Sequence, residues 1–170
     1  MSEVDDSKFE ELVNDLTSDN FYVGYFAAEE LEIYGEKAIQ PLIDAIINGR
    51  KIMVKIVATA VLIRIGNPVI NPMIELLNDS RSQRIAIEFL AFLGDDDVII
   101  HLSQLKTHDH KTIRWMAEQA IKYIRNEPCD ENFTLLWTTS KQEIYDELRS
   151  QYEELKNKTE YLTNYKSSDE

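Results

Sequence analysis

From Phe21 onward the apolar positions keep a helical beat that stops at regular intervals on a glycine. Ala27, Leu31 and Tyr34 lead to Gly35; Ala58, Leu62 and Ile65 lead to Gly66; Ala86, Leu90 and Leu93 lead to Gly94. Steps of four and three residues place each trio on one face of a helix. A fourth copy sets Ala117, Ile121 and Ile124 in the same register, with Arg125 in the glycine's place, so the beat repeats after 31, 28 and 31 residues. Glycine just past a helix predicts a left-handed terminating residue, which a side chain would make costly. A second apolar stripe follows each glycine: Ala38, Ile39, Leu42, Ile43 and Ile46; Val69, Ile70, Met73, Ile74 and Leu77; Val98, His101, Leu102 and Leu105. Pro41 and Pro72, six residues past their glycines, fit a first helical turn.

Each period therefore predicts a helix, a tight turn and a second helix. Such a hairpin cannot bury its apolar face alone and must stack on its neighbours. Stacking accounts for residues 52–65, fourteen positions interrupted only by Lys55, Thr59 and Arg64. The pattern divides residues 1–126 into a half unit at 7–18 and units at 20–48, 51–78, 80–106 and 109–126. Ser7 and Glu10 form a capping box for the half unit, whose stripe is Phe9, Leu12, Val13 and Leu16. Residues 127–170 read as a linker and a C-terminal amphipathic helix. There Ser140 and Glu143 make a second capping box before Ile144, Leu148, Tyr152 (or Gln151) and Leu155.

The repeat resembles the short HEAT-like family of the phycobilin-lyase type, in the match of Val23–Gly35 with Ala38–Leu42, Val54–Gly66 with Val69–Met73, and Ile113–Ile124. The departures are Gly24 and Gln83 where that pattern has arginine, Arg125 for glycine, and no small residue consistently three before the glycine. The expected fold is all-α, a right-handed α-solenoid of about four HEAT-like hairpins plus the C-terminal helix. The resemblance implies a protein-binding scaffold or adaptor. Its alternative implication is an enzyme or accessory subunit of the lyase or hydroxylase type. Iron hydroxylases of the family rely on His-Glu pairs, and none occurs here, since Leu, Asp and Lys follow His101, His108 and His110.

Net charge is −13, with an uneven distribution. Residues 1–48 hold 12 acidic and 2 basic residues, 49–126 hold 8 and 11, and 127–170 hold 11 and 5. A mildly basic middle thus lies between acidic ends, and the overall charge opposes nucleic-acid binding. Lys55 and Arg64 interrupt the most apolar segment, so no membrane span is expected. With one cysteine, Cys129, and an acidic start in place of a signal peptide, a reducing cytoplasm is the expected setting.

Two surfaces are candidates for partners. In the family the first helices form the outer layer, and positions ten, six, three and two before the glycine are expected to face solvent. They include Ile56, Ala60, Ile63, Phe92, Trp115 and Tyr123, an apolar band suited to a contact. The tail helix, preceded by the strand-like stretch 133–137, is one expected cover for the band. A second copy of the chain, as a homodimer, is another. The inner surface comes from the second helices. Its expected polar positions, Gln40, Asp44, Asn71, Glu75, Ile99 and Ser103, make a polar-to-acidic groove suited to a peptide or protein. No catalytic residue, cofactor site or metal site is expected. His108-Asp109-His110 matches no zinc spacing, and Asp95–Asp97 reads as a helix cap. His101 reads as a core residue standing where Leu42 and Met73 stand in the sister units.

Overall fold

The computed structural model describes residues 3–18, 20–133, 141–151 and 153–154, with side chains from residue 6 and excepting that of Phe21. The described residues are helical, with no strand among them. Up to residue 133 the described α-helices follow in order: α1 (Glu3–Asp15), α2 (Phe21–Glu30), α3 (Ile39–Asn48), α4 (Ile52–Ile65), α5 (Ile70–Leu76), α6 (Gln83–Leu93), α7 (Ile99–Gln104) and α8 (Lys111–Ile124). Short 3₁₀ turns join α2 to α3, α4 to α5 and α6 to α7, and a fourth follows α7. The chain separates into two compact units at residues 138 and 139. The first is a helical solenoid; of the second, a helix is described over 141–151, where Gln142 donates to Asp146 at 2.8 Å.

The repeat pattern reads directly into packing. Ala27, Ala58, Ala86 and Ala117 are buried where the layers cross, and Leu31, Leu62 and Leu90 have no exposed surface. Small residues at the crossings let helices approach closely, and the leucines fill the space between layers. Each second helix lies against the first helix of the next unit: α3 on α4, α5 on α6, α7 on α8. In the outer layer α2 packs on α4 and α6 on α8. Eight residues of α4, Val54 and Ile56 to Leu62, are buried, which is how so apolar a helix is accommodated. α1 begins at Glu3 rather than at the Ser7 capping box, because no helix-breaking residue stands between them, and Ser7 lies within the helix. Phe9 anchors α1 to the first turn, 5.1 Å from the Tyr34 ring and under the Lys37 ammonium at 4.1 Å.

The glycine turns differ from expectation. Gly35 (φ 53°, ψ −124°) and Gly66 (φ 75°, ψ −132°) have positive φ, but their ψ is that of the first central residue of a type II′ turn, not of a left-handed helix. The chain must reverse at once into the 3₁₀ turn, and that backbone conformation does so. Gly94 is extended (φ −77°, ψ 164°) because its turn is one residue longer. Asp95 caps that turn by accepting from the Asp97 N–H at 3.0 Å.

The longer turn moves the register of α7. Val98, buried like Ala38 and Val69, stands four residues after its glycine instead of three. Leu102, fully buried, is the partner of Leu42 and Met73, and half-exposed His101 takes the place of Pro41 and Pro72. The core position expected for His101 belongs to Leu102. The inner position expected for Ile99 belongs to Ile100, which is 67% exposed, and that expected for Ser103 belongs to Gln104.

Candidate binding faces

Gln40 and Asp44 lie on the exposed side of α3, one turn apart, with the Gln40 amide donating to the Asp44 carboxylate at 3.1 Å. Asn71 and Glu75 occupy the same positions on α5, and Ile100 and Gln104 on α7, all exposed. Ser103 is exposed beside them. Leu42, Met73 and Leu102 point the opposite way into the core, so the helical period separates a polar ridge from an apolar one. Where α1 meets α3 the ridge borders a cleft of about 450 Å³ lined by Val13, Leu16, Pro41, Ala45, Gln40 and Asp44 among others. Apolar walls with a few polar groups at the mouth suit a side chain of a bound segment.

The outer band is not the open patch that the spacing predicts. Ile56 is buried at 8% exposure, and Ile63, Phe92 and Trp115 are half-buried. Tyr25, Ala60, Ala91 and Gln119, expected to face solvent, are buried as well. Positions ten and six before the glycine fall on the flank of each first helix, where α2 and α4, or α6 and α8, lie side by side. Trp115 packs edge-on to Phe133 at 6.0 Å between ring centres, and Gln119 accepts from the Asp130 N–H at 2.8 Å. Residues 127–133 thereby close the end of α8. Of the outer apolar side chains, Ile33 stands out most, at 81% exposure. The strand-like stretch, apart from Phe133, and the stripe residues Tyr152 and Leu155 lie outside the described residues.

Arg64, absent from the apolar reading of the band, joins two units. Its guanidinium donates to Glu32 at 2.9 and 2.7 Å and to Glu29 at 3.1 Å, tying α4 to α2 and its following turn. The Glu29 side chain is 7% exposed, and its second oxygen has no hydrogen-bond partner. The signal for this pair was a recurring glutamate, Glu29 and Glu32, opposite an arginine one unit later. It is legible only once neighbouring first helices are known to touch.

No cluster of three histidine, cysteine or acidic side chains able to hold a metal occurs among the described residues. His108 instead accepts the His110 N–H at 3.0 Å through Nδ1, an intra-turn bond. Cys129 sits against the Gln119 and Glu127 carbonyls, and burial raises its thiol pKa, which disfavours the reactive thiolate. No single helix among the described residues is long and apolar enough to cross a membrane. In the sequence comparisons, the HEAT repeats family matches residues 39–122. That stretch consists of HEAT-like repeats. The match runs from α3 to the end of α8, the stretch where hairpin stacks on hairpin. HEAT repeats generally serve as protein-interaction scaffolds. No curated protein matches the chain significantly.

Proposed function

We propose that this HEAT-like protein, of the short-repeat type, is a non-enzymatic adaptor that holds a segment of a partner protein along the ridge of α3, α5 and α7. The observation that carries the reading is the recurrence of exposed polar pairs, Gln40 with Asp44 and Asn71 with Glu75, beside the cleft at α1. Polar side chains repeated at one place in successive units can hydrogen-bond an extended backbone, and the cleft can take an anchoring side chain. Asp44 and Glu75 favour a segment carrying lysine or arginine. The single cysteine suits a reducing cytoplasm.

A photo-crosslinking residue tests the reading when placed at Asn71, with the exposed α8 position Glu118 as control. Cell extract should yield one dominant adduct from position 71 and not from 118, and Asp44→Lys with Glu75→Lys should abolish it. Equal labelling from both positions, or an adduct indifferent to the two reversals, would refute the ridge as the binding face.

A further inference from the structure

The loops that connect one unit to the next carry a charge opposite to that of the whole chain. They comprise residues 49–55, 77–84 and 105–114, each running from the end of one hairpin into the first helix of the next. These stretches hold eight lysines and arginines against two aspartates, while the rest of the chain holds ten against twenty-nine acidic residues. The glycine turns at the other end of the hairpins show the reverse. Glu32, Glu36, Asp95, Asp96 and Asp97 gather there, against Lys37, which is paired with Asp6 at 2.6 Å, and Arg64 at the end of α4, which is paired with Glu32 at 2.7 Å. Alternating helix direction puts all three connecting loops at one edge of the solenoid and the glycine turns at the other. One edge is basic and the other acidic.

The basic edge is accessible. Arg50, Lys106 and Lys111 are exposed and make no ion pair among the described residues. The Arg81 side chain is 80% exposed, with Asp79 only at 4.0 Å. Arg84 is 72% exposed and leans on Glu88 of its own helix. Asp79 is already engaged, accepting from the Ser82 hydroxyl at 2.6 Å and the Arg81 N–H at 3.3 Å. At the head of the row, a hollow of about 280 Å³ is lined by Thr17, Asn48, Arg50 and Lys51, among others. Lys51 is fixed there by donating to the Ser18 carbonyl at 2.5 Å. Of the helices that start at this edge, α4, α6 and α8 have no side-chain cap and no acidic residue in the first turn, so their positive ends add to the same field.

We infer that this edge docks a short acidic segment of a partner protein, at a surface distinct from the ridge of the second helices. Neighbouring helices pack about 8–10 Å apart, so successive loops recur at roughly that interval. An extended chain rises about 3.3 Å per residue, so a carboxylate at every third residue meets each loop in turn. A peptide feels mainly the charges within a Debye length of about 8–10 Å, and in these loops eight basic residues outweigh two aspartates. A longer polyanion such as a nucleic acid also reaches the acidic remainder of the chain, which repels it.

The experiment uses the full-length protein and a fluorescent ten-residue peptide with glutamate at every third position, read by anisotropy. Its comparators are the same peptide with lysine for glutamate and a single-stranded oligonucleotide long enough to extend past the edge. Arg81→Glu with Lys111→Glu should weaken the acidic peptide at least about tenfold while leaving circular dichroism unchanged, and added salt should weaken it further. The ridge variant carrying Asp44→Lys and Glu75→Lys should bind the peptide at least as well as the parent, which separates this edge from the proposed groove. No saturable binding of the acidic peptide, equal binding of the lysine peptide, or tighter binding of the oligonucleotide would each overturn the inference. So would indifference to the edge reversals.

Discussion

Two glycines of the repeat satisfy different demands, and the difference is measurable residue by residue. Gly66 has open space where a Cβ would stand, its nearest atoms being carbonyl oxygens at 4.0 Å, so only its positive φ excludes other residues. Gly66→Ala should therefore cost about 2 kcal/mol, the torsional strain of a side chain in a glycine-only region. Thermal melting should show a fall of several degrees, and an unchanged midpoint would contradict the II′ assignment. At Gly94 the objection is contact, since an added Cβ would lie 2.4 Å from the Leu90 carbonyl oxygen and 2.5 Å from Val98. Asp79 supplies a pH dependence at the same scale. Its hydrogen bond from Ser82, then that from the Arg81 N–H, holds its pKa below the ordinary 3.8. A carboxylate depressed in the fold contributes stability that is complete above its unfolded pKa and is lost as pH falls through the folded value. Asp79→Asn should thus lose less stability than the parent between about pH 5 and 2, as followed by urea unfolding. A parallel decline in both proteins would sink this account.

At the scale of elements, the apolar beat gave the helices because alanine and leucine at four- and three-residue steps have few other uses. It carried less about turns. The sequence shows a glycine in all three, but turn length decides the phase of the helix that follows, and the added residue in Asp95–Asp97 shifts α7 by one position. Fixed counting from the glycine therefore placed His101 in the core. Anchoring on the buried residue that opens each second helix, Ala38, Val69 and Val98, brings the three units back into phase. The two registers predict opposite mutational patterns. Leu102→Ala should cost about 2–5 kcal/mol, as for a buried leucine, whereas His101→Ala should stay within about 1 kcal/mol. Denaturant unfolding of both variants decides between them, and a larger loss at His101 would favour the register counted from the glycine. The polar positions on α3 and α5, Gln40, Asp44, Asn71 and Glu75, needed no such correction because both turns have the same length. The outer positions were less legible for another reason. Burial there depends on how closely neighbouring first helices lie, a distance that no one-helix pattern encodes.

In the molecule as a whole, each helix of the solenoid leans chiefly on its sequence neighbours, so stability is expected to vary with position along the repeat. α4 is the best-connected element, held by α2, α3 and the Arg64 pairs to Glu29 and Glu32. α8 packs on α6 and α7 and is closed on its far side only by residues 127–133, through the Gln119–Asp130 bond and the Trp115–Phe133 contact. Hydrogen exchange should then be slowest in α4 and faster in α8. The two ends should also respond unequally to the same kind of damage. Leu62→Ala opens the junction through which α2 and α3 are held, so exchange should quicken throughout α2–α4. Ile121→Ala weakens only the last interface, so opening should be confined to α8 and its closing segment, with α2–α4 unchanged. Uniform acceleration across all helices in both variants would mean that the repeats unfold as one cooperative body, and nearest-neighbour stacking would then be the wrong description of what holds them together.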